Sequence, residues 1–322
     1  MKYANIPYVD KQVSRIFYGV SGPLFSDGQN QDALFDAMFD LGINAFDCAR
    51  NYGLSEKSLG TWLKHSGHRD ECVILSKCGH HDVDTLKKRV SRQEMYDDLN
   101  VSLDLLDIEK IDIYILHRDD ETVPVGVVMD TLNEMHEAGK IGAFGASNWT
   151  HQRMQEANDY AKAHGLIPMT VASPNFGLAR QVEDPWGGSC VSIAGPENEA
   201  ARAWYKENNM SMIAYSSIGR GFFSGKVKSD DPSTQELIDR FARKGYECPD
   251  NIERLARCEE LAKACGASVS QIALAYLFAS GLDAYAIVST ASPERMKENI
   301  GALDIKLTAQ QAAYLDLRAD TY

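Results

Sequence analysis

The chain has 322 residues, long enough for two average domains or one large barrel, and its 44% hydrophobic and 25% charged residues are typical of a globular protein. That composition excludes collagen-like and low-complexity architectures. Acidic residues number 46 against 33 basic, the formal net charge is -13, and there is no Lys/Arg-dense stripe, so no nucleic-acid partner is expected.

Residues 1–15 lack the apolar core of a secretory signal. The apolar run at 272–279 is far short of the roughly 20 residues a spanning helix needs. No membrane association is expected. Seven cysteines, an odd number with no C-x-x-C among them, fit reduced thiols in a cytoplasmic protein.

In chain order, 15–20 reads as a strand and 30–41 as an amphipathic helix with Leu34, Phe35, Met38 and Leu41 on one face. A second strand at 43–48 is followed by a helix at 55–64, and a third strand at 72–77 follows that. Ser91 and Glu94 form a capping box that opens a helix carrying Met95, Leu99, Leu103 and Leu106. Strands at 111–117 and 141–147 are followed by helices at 125–138 and 152–163. Runs at 168–173, 210–215 and 284–289 complete eight strands. Ser292-Pro293-Glu294 starts a helix, and Thr308 with Gln311 caps the last one.

Strands separated by helices rather than hairpin turns imply parallel pairing. Eight βα units over this length favour an α/β fold, a single-domain (β/α)8 TIM barrel spanning 1–322; an open doubly wound sheet is the alternative that periodicity leaves standing. Two segments, 178–195 and 227–251, break the spacing. Each follows a strand, which in a barrel puts it at the C-terminal mouth, where active-site loops belong.

Three ionisable residues close three consecutive strands: Asp47, Lys77 and His117. Tyr52 lies just after the first of them, before the turn at Gly53. A phenol is a poor proton donor at neutral pH. A neighbouring ammonium lowers its pKa, a carboxylate holds the ammonium, and an imidazole can donate to a substrate oxygen. The set suits protonation of a carbonyl oxygen while hydride is delivered to its carbon.

At these residues the sequence resembles the aldo-keto reductase superfamily. The resemblance runs through F-D-x-A-x-x-Y-G at 46–53, L-S-K at 75–77, Y-I-L-H at 114–117, G-A-S-N at 145–148, A-Y-S-S-I-G-R-G-F-F-S-G-K at 214–226 and S-P-E-R-M-K-E-N at 292–299. It implies a barrel that binds NADPH or NADP+, with NADH left open, and that acts on a small carbonyl compound or, in reverse, an alcohol. It implies Tyr52 as general acid, Lys77 and Asp47 as its tuning pair, and His117 as the group that orients the carbonyl. Ser147 and Asn148 match the positions that hold the nicotinamide carboxamide, with Gly19 and Asp47 nearby, and Tyr215 the aromatic that stacks on the ring. Ser216, Ser217, Ile218, Gly219 and Arg220 match the pyrophosphate loop, and Lys226 a phosphate-side lysine. Arg295 matches the residue facing the 2′-phosphate, and Glu298 and Asn299 those reading the adenine. The chain departs from the family at Ser173, where Gln is usual, at Ser289 near the 2′-phosphate, at Ser217 in place of Pro, and at Cys48 in place of Thr.

The stretch 219–226 fits neither a Walker A loop, which needs Gly where Arg220 stands, nor a Rossmann fingerprint, whose glycines are spaced one residue closer. Cys78, His80, His81, Asp82 and Asp84 cluster after the third strand without metal-ligand spacing, so no metal is expected and His80 is instead a candidate for the substrate pocket. Trp149, Phe176 and Trp186 are further pocket candidates. Arg118, Asp119 and Asp120 read as a rim ion pair. The physiological substrate and the oligomeric state are not legible in the sequence.

Overall fold

The computed structural model describes residues 1–322. A two-stranded antiparallel hairpin, β1 (Tyr3–Ala4) and β2 (Val13–Ser14), precedes the main sheet. The alternation then runs β3 (Ile16–Gly19), α1 (Asp32–Asp40), β4 (Ala45–Asp47), α2 (Ser55–Ser66), β5 (Val73–Cys78), α3 (Arg92–Leu106), β6 (Ile111–Leu116), α4 (Val125–Glu137), β7 (Ile141–Ser147), α5 (His151–His164) and β8 (Val171–Ser173). It continues with α6 (Glu199–Glu207), β9 (Ser211–Ala214), α7 (Arg240–Tyr246), α8 (Pro249–Cys265), α9 (Val269–Phe278), β10 (Ala284–Val288), α10 (Pro293–Ile300) and α11 (Ala309–Leu315). The sheet is a closed barrel of eight strands in the order β10-β3-β4-β5-β6-β7-β8-β9. This is the (β/α)8 architecture, not the open sheet. No single helix is long and apolar enough to cross a membrane.

Contacts divide the chain into two compact units, 1–173 and 174–322. In the first, β3 to β8 pair in parallel, and nearly every strand residue is buried, because parallel strands are covered on both faces. The polar exception on β6 is Asp112. Its carboxylate receives Lys11 and Arg69 and the backbone N–H of Ile74, so its charge is satisfied rather than stranded. Phe35 of α1 and Phe46 of β4 pack against Tyr18 of β3, Trp62 of α2 packs against Phe35 and Phe46, and its indole donates to Asp36 at 2.7 Å.

Gly145 on β7 has no room for a side chain: a Cβ there would fall 1.7 Å from the Val171 carbonyl oxygen on β8. Overpacking a core costs roughly 1–3 kcal/mol and occasionally more, and here the obstacle is backbone that a rotamer change cannot clear. Gly145→Ala is expected to lower the urea midpoint sharply or to abolish soluble expression; an unchanged midpoint would contradict the β7–β8 register.

In the second unit, β9 and β10 pair in parallel. A core of Phe222, Phe223, Tyr246, Leu255, Leu261 and Ile272 joins α7, α8 and α9. The irregular stretch 227–251 is not all loop. It holds a 3-10 turn (Pro232–Leu237), then α7 and the start of α8. Asp239 caps α7 by accepting from the N–H groups of Phe241 and Ala242. The charged composition hid this helix, whose buried residues are few: Ala242, Gly245 and Tyr246. The expected capping boxes at Ser91/Glu94 and Thr308/Gln311 and the Ser292 cap are all formed, and Ser268/Gln271 adds one the sequence reading did not single out. All seven cysteines are free.

Candidate active site

Within the first unit, parallel strands of matched register carry the ionisable residues to neighbouring ends. Asp47 is the last residue of β4, Lys77 the penultimate residue of β5, and His117 follows β6 directly. Asp47 and Lys77 are each only 3% exposed and form a buried ion pair. The Lys77 ammonium also donates to the Cys48 carbonyl at 2.9 Å and to the Tyr52 hydroxyl at 3.4 Å. It lies 4.8 Å from the Tyr52 ring centre. Tyr52 is held in a turn in which its N–H bonds to Ala49 and the Arg50 N–H bonds to Lys77. The next residue, Gly53, has φ 65°, and a Cβ there would strike the Ser26 carbonyl oxygen. The Tyr52 and His117 rings stand edge to face with centroids 5.5 Å apart.

Burial works most strongly to discharge Lys77, but the Asp47 carboxylate, joined by the neighbouring Tyr52 and Cys48, outweighs it and holds the ammonium protonated above its ordinary value. From the residue types alone, Lys77 is expected to bring Tyr52 below the usual phenol value. Instead, loss of solvation raises the phenol, and the ammonium only moderates the rise, so Tyr52 stays protonated at neutral pH. His117 is held well below the ordinary imidazole range, first by burial and then by the Lys77 charge, and is neutral.

His80 stands with its ring 4.7 Å from His117 at 78°, and its Nδ1 donates to the His81 carbonyl at 2.8 Å. Burial, aided by the charges of His81, Arg118 and Arg89 and opposed by that hydrogen bond, brings it down to about 4. In the unfolded chain both imidazoles take up protons near pH ~6.5. Between that pH and about 4 the unfolded state therefore binds more protons than the folded one, and stability falls as pH falls. Urea midpoints are expected to drop from pH 7 to pH 5, and to drop less in His80→Gln. A variant with the same pH slope as the wild type would refute a neutral, buried His80.

The neighbouring strand ends supply amides and hydroxyls. Asn148, at φ 60°, donates from Nδ2 to the His117 carbonyl at 3.2 Å and to Ser147 Oγ at 3.0 Å, and Ser147 Oγ donates to the Ser173 carbonyl at 2.7 Å. Ser173 Oγ and His117 Nδ1 are buried with no hydrogen-bond partner. Gly19, at the end of β3, is in register with Asp47. Trp149 is 2% exposed, donates its indole N–H to the Arg118 carbonyl and lies under the Arg153 guanidinium. Asp119 pairs with Arg153 and Asp120 with Lys88, while the Arg118 charge bears on Tyr52, His117 and His80. The expected rim pair thus takes its cation from α5. No group of three or more His, Cys, Asp or Glu side chains is arranged to hold a metal ion.

Within the second unit, Tyr215 follows β9, and the Trp186 ring stands 6.0 Å from it, edge to face. Arg220 lies 5.3 Å from the Trp186 ring and pairs with Asp239 at 2.9 Å. Ser216, Gly219, Arg220 and Gly221 all have positive φ, so the backbone here curls tightly. Ser217 is buried and donates to the Ile287 carbonyl. Lys226, Ser289, Arg295 and Glu298 are exposed and Asn299 is buried; Glu298 receives the Ser270 hydroxyl. Phe176 is buried, its ring 6.4 Å from Tyr276. Sequence reasoning missed two supports. Asn175 donates to the Tyr246 hydroxyl and accepts from Ser192. Asp184 accepts from the N–H groups of Trp186, Gly187, Gly188 and Cys190, folding the loop that presents Trp186. The D-x-x-G pattern at 184–187 was the available signal for the second.

The profile described as the Aldo/keto reductase family matches residues 21–318. A Schizosaccharomyces pombe protein named aldo-keto reductase yakc, NADP(+), is 31% identical over 291 residues, covering 88% of this chain and 80% of that protein. Aldo-keto reductase str7 of Strobilurus tenacellus is 27% identical, covering 92% of this chain and 82% of its own. L-glyceraldehyde 3-phosphate reductase of Escherichia coli is 25% identical, covering 89% of this chain and 83% of its own.

Proposed function

The chain belongs to the aldo/keto reductase family, and from that premise we propose that it transfers hydride between NADPH and the carbonyl carbon of an aldehyde or ketone, with Tyr52 as the proton donor. The observation that carries this reading is the Lys77 ammonium shared between the Asp47 carboxylate and the Tyr52 hydroxyl, with His117 beside the phenol. The chain's residues fit a nicotinamide cofactor on their own chemistry. Ser173 Oγ is a buried polar atom in need of a partner, next to the Ser147–Asn148 pair, which supplies both a donor and an acceptor for a carboxamide. The positive-φ turn at 216–221 suits a phosphate, and exposed Arg295 suits the 2′-phosphate.

When bound, the cofactor supplies the hydride to the carbonyl carbon. Everything else falls to side chains. His117, a neutral imidazole with one ring N–H, donates that N–H to the carbonyl oxygen and orients it. Tyr52 gives its proton as negative charge builds on that oxygen. The phenolate that results faces the Lys77 ammonium, which stabilises it, while Asp47 and the Cys48 carbonyl keep the ammonium in place. Alcohol oxidation runs the same transfers backwards.

Titrating the protein with NADPH and then NADH, followed by fluorescence quenching, tests the reading. Tight quenching by NADPH and turnover of reactive aldehydes are expected; neither binding nor turnover would end the proposal. Arg295→Ala is expected to weaken NADPH roughly tenfold or more, the loss of a charge-assisted contact, and to leave NADH unaffected. Equal losses for both cofactors would remove Arg295 from the 2′-phosphate.

A further inference from the structure

The loop that follows Lys77 is fastened at both ends. Asp98 on α3 accepts from the Gly79 N–H at 3.0 Å and from the Arg89 guanidinium at 2.9 Å. Asp82 closes the tip by accepting from Thr85. His80 is therefore presented by a fixed loop, half-buried, its ring beside that of His117, which is beside Tyr52.

The hydrogen-bonding state of His80 follows from its partner. Nδ1 faces the His81 carbonyl oxygen, and a carbonyl only accepts, so Nδ1 carries the hydrogen. Burial and the neighbouring His81, Arg118 and Arg89 keep the ring neutral. Nε2 then carries a lone pair and no hydrogen, so toward a ligand it can only accept. His117, whose ring is beside that of His80, and Tyr52, whose ring is beside that of His117, are donors suited to a carbonyl oxygen, so the third group of this set is an acceptor.

We propose that His80 determines specificity by accepting a hydrogen bond from a hydroxyl on the carbon next to the substrate's carbonyl, so that the enzyme favours α-hydroxy aldehydes and ketones over their plain counterparts. This rests on the reductase reading above. A hydroxyl on the adjacent carbon lies within one hydrogen-bond length of the carbonyl oxygen, which matches an acceptor standing beside two donors. A carboxylate at that place has no proton to give and would face a lone pair. An alkyl group would leave Nε2 desolvated and unpaired, the penalty by which polar sites reject apolar analogues.

The test is the ratio of kcat/KM for glycolaldehyde to that for propanal, its near-isostere, with NADPH, in the wild type, His80→Phe and His80→Gln. Within one enzyme the ratio cancels the folded fraction, and the intrinsic reactivity of the two aldehydes is the same throughout. The ratio is expected to fall roughly tenfold or more in His80→Phe and to stay near the wild-type value in His80→Gln, whose amide oxygen still accepts. An unchanged ratio in His80→Phe, or an equal fall in His80→Gln, overturns the acceptor role. A wild-type protein that consumes NADPH with neither aldehyde overturns the reductase reading on which the assignment stands.

Discussion

Tyr52→Phe is expected to lower kcat by roughly two to four orders of magnitude, the ordinary contribution of a positioned general acid, while quenching titrations with NADPH stay at their wild-type affinity. The substitution removes one oxygen and keeps the ring. The edge-to-face contact with His117 and the approach of the Lys77 ammonium to the ring face both survive. What is lost is the proton and the site at which Lys77 would stabilise negative charge. Because Tyr52 is raised by burial and moderated by Lys77, the wild-type phenol keeps its proton across neutral pH, so the loss in the variant is independent of pH in that range. A variant that retains wild-type turnover would remove Tyr52 from the chemistry and leave Lys77 and Asp47 as a structural pair.

The second large effect concerns that pair. Lys77→Met leaves the Asp47 carboxylate 3% exposed with no counter-charge. Breaking a buried ion pair from one side costs about 3–5 kcal/mol, because the remaining charge is stranded. A large fall in the urea midpoint and loss of turnover are both expected. The double variant Asp47→Asn/Lys77→Met separates the two consequences. With neither charge buried it should recover most of the stability, since neutral replacements of buried pairs are often tolerated, and it should recover no activity, since no ammonium faces the phenol. If the double variant regains turnover with its stability, Lys77 serves the fold alone. If its stability remains as low as that of Lys77→Met, the stranded charge is not the source of the loss.

Eight strands and their order could be read from residues close together in the chain. Buried parallel strands are short apolar runs, and those at 72–77, 111–117 and 141–147 correspond to β5, β6 and β7 within a residue or two at each end. Helix starts were equally legible, because a cap is a bond between residues three apart, as at Ser91 and Glu94. The run at 168–173 is a strand only over Val171–Ser173. Apolar pattern marks burial, and burial continues past the point where the ladder ends. The hairpin of β1 and β2 and the short helix α7 escaped notice, the first because two-residue strands carry no period and the second because its exposed face is charged.

What the sequence alone determined about this protein is which residue types stand at the ends of which strands, and the ordered motifs that mark its family. Both are properties of neighbours along the chain, and both survive without coordinates. Only the tertiary structure decided the electrical state of the groups. Whether Lys77 or desolvation governs the Tyr52 proton depends on how much water the fold excludes and on a 3.4 Å approach between residues 25 apart in the chain. Asp119 found a cation on α5, Arg153, and the acceptor face of His80 was set by which nitrogen its loop turned toward a carbonyl. Coulomb energy and solvation depend on distance through space and on burial, and no local pattern of residues encodes either.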